Sequence, residues 1–139
     1  MSGAAGGMRS KAERRQLLIN LVQFLHRAAV LAPERFKHCE GNHFQVRLGS
    51  DNYWVSVHLQ WACADTHGGE LQEACVRTLN ERGIAWQMGN ILHGPGPQEY
   101  AAAVADEDGE ISPDDWEAAY PSAGYALLAA MVYRLEAHP

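Results

Sequence analysis

Residues 99–136 read EYAAAVADEDGEISPDDWEAAYPSAGYALLAAMVYRLE. The apolar run Tyr100–Ala105 predicts a strand, and residues 121–137 predict an apolar helix that packs into the core. Between these elements lies an acidic turn, Asp106–Glu110, and then a helix start at Ser112-Pro113 that continues towards Ala119. A strand, a turn and a core helix in succession predict a mixed α and β fold.

Helical and strand patterns also alternate in the rest of the chain. Ser10 and Glu13 have the spacing of a capping box, and the apolar stripe behind them predicts a helix over residues 11–31. Alternating side chains at 44–48 and 53–61 predict a β-hairpin with a four-residue connection.

The same patterns predict a helix over residues 71–83 and a further strand over 84–88. The resulting order, α-ββ-α-ββ-α, predicts a single α+β domain over residues 11–139. In this domain the helices pack on an antiparallel sheet as a layered sandwich. Residues 1–10 are Gly-rich and predict a flexible N-terminal tail.

Composition narrows the cellular setting. No apolar run approaches the roughly 18 residues that cross a bilayer, and the N-terminus lacks the apolar core of a signal peptide. The cysteines, Cys39, Cys63 and Cys75, are odd in number and widely spaced. A disulfide framework is therefore not expected, and the chain is predicted to be cytoplasmic with no membrane contact.

Charge is distributed unevenly along the chain. Residues 1–82 carry ten basic and eight acidic side chains, whereas residues 83–139 carry one and nine. The acidic half disfavours direct nucleic-acid binding because it repels phosphate. It favours instead a protein partner with a basic surface.

Residues 106–115 resemble the later part of an EF-hand calcium loop. Asp106, Asp108 and Asp115 have the spacing of oxygen ligands, and Gly109 stands at the sharp bend. Two positions depart from the pattern, since Val104 replaces the first ligand and Asp115 replaces the closing glutamate. The alternative interpretation is a charged turn followed by a helix start, whose acids suit the helix dipole. Calcium at this site is the only cofactor that the sequence suggests.

The predicted partner-binding residues combine this acidic segment with aromatic side chains of the hairpin. Trp54 and His58 occupy one face of the second hairpin strand, and would be binding anchors if that face were exposed. The alternative is that helices cover both faces of the sheet and bury these rings. The full predicted set is Asp106, Glu107, Asp108, Glu110, Asp114, Asp115, Trp116, Trp54 and His58.

No catalytic set is recognisable. Cys63, Asp65 and His67 are close in sequence, but no nucleophile elbow or oxyanion-hole pattern surrounds them. The spacings of Cys39 with His43 and of Cys63 with His67 lack the tight ligand pair of zinc sites. Phosphate-binding glycine loops are also absent. The sequence therefore predicts that the protein is not an enzyme.

The second half of the chain resembles the phage ABA-sandwich family, a group of small phage and prophage proteins of unknown function. The resemblance lies in LQEACVRTLNERG at Leu71–Gly83, in the strands Ile84–Gln87 and Tyr100–Ala105, and in the helix PSAGYALLAAM at Pro121–Met131. Leu128 stands where that family's closing helix carries an arginine. The resemblance implies an α/β/α sandwich and a phage origin, and it brings no activity.

Together these features predict a non-enzymatic phage or prophage accessory protein that acts by binding a protein, as a monomer or a homodimer. An acidic inhibitor of a host nuclease or defence complex is one form of this function. Two alternatives stay open at this point: a dimer similar in layout to type III secretion chaperones, and a weak divalent-ion module at Asp106–Asp115.

Overall fold

The computed structural model describes residues 9–63, 69–91 and 99–138. Within these residues the elements are α1 (Lys11–Leu31), β1 (Phe36–Glu40), β2 (His43–Arg47), β3 (Trp54–Ser56), α2 (Leu59–Ala62), α3 (Gly69–Glu81), β4 (Trp86–Ile91), β5 (Glu99–Val104), a 3-10 turn (Pro113–Asp115), β6 (Trp116–Tyr120) and α4 (Ala123–Ala137). All strand pairs are antiparallel, which confirms the predicted α+β class. The strands form two sheets, β1-β2-β3 and β4-β5-β6, rather than one.

The first helix begins at the predicted capping box. The Ser10 backbone N–H donates to Glu13 Oε1 at 2.7 Å, and the Glu13 N–H donates to Ser10 Oγ at 3.1 Å. Both donors would otherwise lack a partner at the helix start. The cap of this helix therefore includes Ser10, a residue of the predicted tail, and residues 1–8 lie outside the described residues.

The predicted hairpin is present in the first sheet, but its second strand is shorter. Val46 pairs with Val55, and pairing ends at Ser56. The predicted continuation of this strand to Trp61 is wrong, because α2 begins at Leu59. Ala62 is 1% exposed, and its carbonyl accepts a hydrogen bond from Ser122 Oγ at 2.7 Å. A tertiary contact with the start of α4 thus accompanies the bend of the chain out of the sheet.

The second sheet gains a strand where a helix start was predicted. After the short 3-10 turn, β6 pairs with β5, with Trp116 opposite Ala103 and Tyr120 opposite Tyr100. The predicted helix from Pro113 to Ala119 is therefore wrong. Alanine and glutamate favour a helix by intrinsic propensity, but pairing with a buried strand overrides that preference.

A bulge distorts β6 close to its end. The register shifts between Tyr100 and Ala102 on β5, and Ala119 on β6 has a φ of 71°. Positive φ is strained for a residue with a Cβ atom. The bulge thus stores strain in the edge strand that leads into α4.

Helix α4 is the centre of the core. Eleven of its residues are buried, from Ala123 to Leu135, and it contacts α1, α3 and all three strands of the second sheet. A helix that is apolar on every side is stable only when it is covered on every side. At its start, a Cβ atom on Gly124 would lie 3.1 Å from the backbone nitrogen of Gln72 on α3. The absence of that atom allows the two helices to approach closely.

Two arginines connect separate elements. The Arg35 guanidinium is buried and donates to the carbonyls of Arg47 and Gly49 at 2.7 and 2.8 Å, and its Nε donates to Glu81 Oε1 at 3.1 Å. Arg27 on α1 donates to both carboxylate oxygens of Glu136 on α4. These contacts connect α1, α3, α4 and the first sheet.

Candidate functional site

The acidic turn follows directly from the second sheet. The Asp106 N–H donates to the Glu110 carbonyl at 3.0 Å, and the Gly109 N–H donates back to the Asp106 carbonyl at 2.9 Å. Gly109 has a φ of 85°, which glycine adopts without strain. The Glu110 N–H also donates to Asp108 Oδ1 at 3.1 Å. The backbone of the turn is therefore closed by its own hydrogen bonds.

The second acidic group of this segment consists of Asp114 and Asp115, and Ser112 fixes the side chain of Asp115. Asp115 Oδ2 accepts from the Ser112 backbone N–H at 2.7 Å and from Ser112 Oγ at 3.1 Å. These bonds satisfy the start of the 3-10 turn. Asp115, the predicted closing ligand of an ion loop, thus already has a structural role.

A cavity of about 230 Å³ lies between these two acidic groups and the C-terminal end of α4. Its wall combines carboxylates with small apolar and aromatic groups. The lining residues are Val104, Asp106, Asp114, Asp115, Glu117, Ala130, Tyr133, Arg134, Ala137 and His138.

Two carboxylates of this cavity have oxygens that accept no hydrogen bond from the described residues. Asp106 Oδ1 is shielded from solvent and accepts no hydrogen bond. Asp114 is exposed and takes part in no hydrogen bond or ion pair among residues 9–63, 69–91 and 99–138. Asp114 is therefore open to a donor from outside, whereas Asp106 Oδ1 is enclosed.

The electrostatics of the turn reflect crowding of negative charge. A side-chain hydrogen bond with Asp108 raises the pKa of Asp106, and partial desolvation and the charges of Asp108 and Asp115 raise it further. The same hydrogen bond, together with the Glu110 N–H, lowers the pKa of Asp108. The two carboxyls behave as a coupled pair in which one proton is retained more strongly than usual.

The cationic groups beside the cavity are occupied by the chain itself. Arg134 Nε donates to the Ala105 carbonyl at 2.8 Å, and its Nη1 donates to the His138 carbonyl at 2.6 Å. The His138 ring pairs with the Glu107 carboxylate. The wall carries four carboxylates against one guanidinium, so its net charge is negative whether or not His138 binds a proton.

Acidic side chains elsewhere in the described chain are paired differently. Glutamates outside the acidic segment form ion pairs with arginines; these are Glu34, Glu73, Glu81 and Glu136. Residues 106–117 carry seven carboxylates, and the ion pair that the described residues offer them is the one between Glu107 and His138. The acidic segment thus places seven neighbouring carboxylates together without an arginine partner among the described residues.

The structure brings together some of the predicted partner-binding residues and separates others. Asp106, Glu107, Asp108, Glu110, Asp114, Asp115 and Trp116 lie in one segment, and Trp116 is 37% exposed. Trp54 belongs to the other sheet, where it is half-buried under the Lys37 ammonium at 4.5 Å. His58 follows that sheet and its Nδ1 lies 3.0 Å from Glu70 Oε1. Trp54 and His58 therefore do not extend the acidic surface.

The apolar side of the cavity was not foreseen from the sequence. Ala130, Tyr133, Arg134 and Ala137 are spaced as i, i+3, i+4 and i+7, so they share one face of α4. That spacing is visible in the sequence, but it does not say that the face meets the acidic turn. The meeting depends on the packing of α4 against the second sheet.

The calcium hypothesis gains no support from the geometry. Among the described residues, which include 99–138 without a gap, no three His, Cys, Asp or Glu side chains form a group that could hold a metal ion. The cysteine and histidine pairs of the first half, as far as they are described, form none either. Asp65 and His67 lie outside the described residues.

Neither Cys63 nor Cys75 offers an activated thiol. Burial raises the pKa of Cys63 to about 11 and raises that of Cys75 still further. Cys39 is exposed on β1. A nucleophilic cysteine needs a lowered pKa, which basic neighbours or a helix start would provide.

One serine and one histidine have the separation of a nucleophile and its base. His43 Nε2 lies 2.9 Å from Ser56 Oγ, and both side chains are exposed on neighbouring strands. No described residue hydrogen-bonds to the other ring nitrogen of His43, which an orienting group would do. The pair is therefore described more simply as a cross-strand hydrogen bond.

No protein family, no curated protein and no solved structure matches this chain. The resemblance to phage sandwich proteins consequently stays a prediction. In the part of the chain that the structure describes, none of the helices has the length and apolar character needed to cross a membrane.

Proposed function

We propose that this protein acts by binding another protein through its acidic segment, residues 106–117, and that it catalyses no reaction. The observation that carries the proposal is the lack of arginine partners for seven carboxylates in a segment whose backbone is fixed. Elsewhere in the described chain four glutamates, Glu34, Glu73, Glu81 and Glu136, pair with arginines. A basic partner surface would supply the missing cations.

The rigidity of the segment supports binding. The turn is closed by its own hydrogen bonds, and the Ser112–Asp115 contacts fix the next group. Little conformational entropy is lost when a partner docks on a surface that is already ordered. Trp116, which is half-exposed beside the carboxylates, adds the kind of aromatic anchor that interfaces favour.

The chemistry of the partner follows from the sign of the charge. Proteins that act on nucleic acids present basic grooves, because such grooves attract phosphate. A compact acidic surface is complementary to such a groove. One form of the proposed function is therefore inhibition of a nuclease or a defence complex, as expected of a phage accessory protein.

The proposal is tested by charge reversal at positions that do not hold the fold together. Glu110 and Asp114 are exposed, and their side chains form no hydrogen bond or ion pair with the described residues. The variant Glu110→Lys/Asp114→Lys should keep the fold, as judged by circular dichroism, and lose most of its capture of basic proteins from a host lysate. The captured proteins are identified by mass spectrometry and then bound as purified proteins by calorimetry.

The matched control reverses two charges in another part of the fold. Glu40 and Glu73 are exposed on β1 and α3, so Glu40→Lys/Glu73→Lys changes the net charge by the same amount. The control should bind the purified partner as the wild type does. Equal loss in both variants would mean that only net charge matters, and no loss in either would overturn the proposal.

A further inference from the structure

We infer that the cavity between the acidic segment and the end of α4 receives a single lysine or arginine side chain of the partner. This inference rests on the proposed function and adds to it the position and chemistry of the anchoring contact. It depends on the composition of the cavity wall, on its size and on its unpartnered oxygens.

The wall has two parts that match the two parts of a long basic side chain. Val104, Ala130 and Ala137 provide an apolar side together with the ring of Tyr133. The acidic segment contributes the carboxylates of Asp106, Asp114, Asp115 and Glu117. Lysine and arginine have apolar stems that favour apolar walls and charged heads that need anionic partners.

The oxygens at the charged side are not all used within the chain. Asp115 Oδ2 is occupied by Ser112, and Glu117 Oε1 accepts from the Tyr120 hydroxyl at 3.0 Å. Asp106 Oδ1, in contrast, is shielded from solvent without a hydrogen-bond donor among the described residues. Asp114, which is exposed and has no partner among the described residues, is the carboxylate that a basic side chain can reach directly.

The native arginine does not fill this role. Arg134 lines the cavity, but its Nε and Nη1 donate to the carbonyls of Ala105 and His138. It forms no ion pair within the described chain with any carboxylate of the wall. A second cation can therefore enter without displacing Arg134.

The cavity itself is small, and a more open cavity of about 470 Å³ adjoins it through Asp106 and His138. Small-molecule sites usually measure roughly 300–1,000 Å³, whereas this cavity measures about 230 Å³. A cofactor or a nucleotide would not be enclosed, and a nucleotide would also be repelled by the net negative charge. One basic side chain that extends from a docked protein surface fits both the volume of this cavity and its negative charge.

The experiment titrates the full-length protein with Nα-acetyl-lysine methylamide and with Nα-acetyl-arginine methylamide, followed by NMR. The resonances of Ala130, Tyr133 and Ala137 should shift with at least one of the two. The same lysine compound acetylated at Nζ has no charge and should give no shift. Calcium chloride is titrated in parallel.

Three variants locate the contact. Ala137→Leu fills the cavity without a change in charge and should weaken binding of the purified partner tenfold or more. Asp114→Asn removes one carboxylate that has no internal partner and should weaken binding of the purified partner about two- to fivefold. Glu40→Gln, outside the acidic segment, should leave binding within about twofold of wild type.

The outcomes separate the inference from the proposed function. Unchanged partner binding by Ala137→Leu, with loss in Glu110→Lys/Asp114→Lys, would overturn the anchor and leave the acidic interface standing. Shifts caused by the amino-acid amides, without any charge-dependent partner, would contradict the interface while supporting a cation-binding cavity. Shifts caused by calcium alone would overturn the anchor in favour of an ion site.

Discussion

Arg35 holds three parts of the chain together through one side chain. It is 2% exposed and donates to two carbonyls after β2 and to Glu81 at the end of α3. We expect Arg35→Ala to lower the free energy of unfolding by about 2–4 kcal/mol, because the Arg47 carbonyl and Glu81 lose their donor and the Gly49 carbonyl keeps only the one from Arg47 Nη1. Urea denaturation measures this loss.

A surface arginine serves as the comparison. Arg77 pairs with Glu73 one turn earlier on α3, and both side chains are about half exposed. Arg77→Ala should cost less than about 0.5 kcal/mol. Similar losses in the two variants would contradict the role assigned to Arg35.

Asp106 gives a pH dependence of opposite sign to that of the paired glutamates. Its pKa is raised from the ordinary value of 3.8, so the folded state binds the proton more tightly than the unfolded state. The ionised carboxyl therefore destabilises the fold at neutral pH, and that effect fades as the pH falls through the raised pKa. We expect Asp106→Asn to be more stable than wild type at pH 7 and to lose this advantage below about pH 3.8.

The paired glutamates Glu81 and Glu136 provide a reference when stability is measured against pH. Ion pairs with Arg35 and Arg27 lower the pKa of Glu81 and of Glu136. Their stabilisation is complete above their ordinary pKa and is lost as the pH falls through the lowered values. This loss is common to wild type and Asp106→Asn, so it cancels in the difference. A difference that grows towards acid pH would contradict the assignment.

At the scale of elements, the sequence predicted what depends on local pattern and missed what depends on pairing. The capping box at Ser10 and the apolar character of α4 are local, and both predictions are confirmed. The strands β1 and β6 were missed, because their residues carry no regular alternation. Lys37, His38 and Cys39 are all exposed, and β1 forms because it pairs with β2.

The candidate site follows the same division. The carboxylates of Asp106 to Asp115 could be identified from the sequence because they lie in one short segment. The apolar side that α4 contributes could not, since residues 130–137 come close to them only when α4 packs on the second sheet. The ion-loop interpretation of the same carboxylates considered their spacing and did not foresee that Ser112 occupies Asp115.

The bulge in β6 carries strain that a single substitution can release. Ala119 has a φ of 71°, a value that glycine adopts freely. Ala119→Gly should stabilise the protein by about 0.5 kcal/mol, since the relief of strain exceeds the added entropy of the unfolded chain. The neighbouring Ala118→Gly, at an ordinary φ, should destabilise it by about 0.5–1 kcal/mol. Thermal unfolding of the pair tests this contrast.

The contact between α3 and α4 allows no side chain at one position. A Cβ on Gly124 would already approach the Gln72 backbone to 3.1 Å, so Gly124→Val should cost about 1–3 kcal/mol through overpacking. Gly89 in β4 has no atom within 4 Å of the corresponding position. Gly89→Val should be neutral or slightly stabilising, because valine suits a strand better than glycine does. Equal stability of the two variants in urea would argue against the close approach.

At the scale of the whole molecule, charge and packing divide the chain in different places. Acidic charge concentrates after residue 83, whereas the buried cluster runs through α1, α3, α4 and both sheets. The acidic surface therefore borders α4, a helix that packs against elements throughout the core. A partner docked at the end of α4 would contact the most buried helix of the fold, and light scattering of the complex would give its stoichiometry and separate it from a chaperone-like dimer.

The burial of most of α4 also governs how its backbone amides exchange with deuterium. Because α4 contacts α1, α3 and the second sheet, it cannot open without disrupting all of them. Its central amides, around Leu127 to Met131, should exchange only through global unfolding, at a rate set by the full free energy of unfolding. Amides of the edge strand β1 should exchange sooner, through smaller openings of the first sheet. Exchange mass spectrometry would then report the stability of the whole protein from one helix.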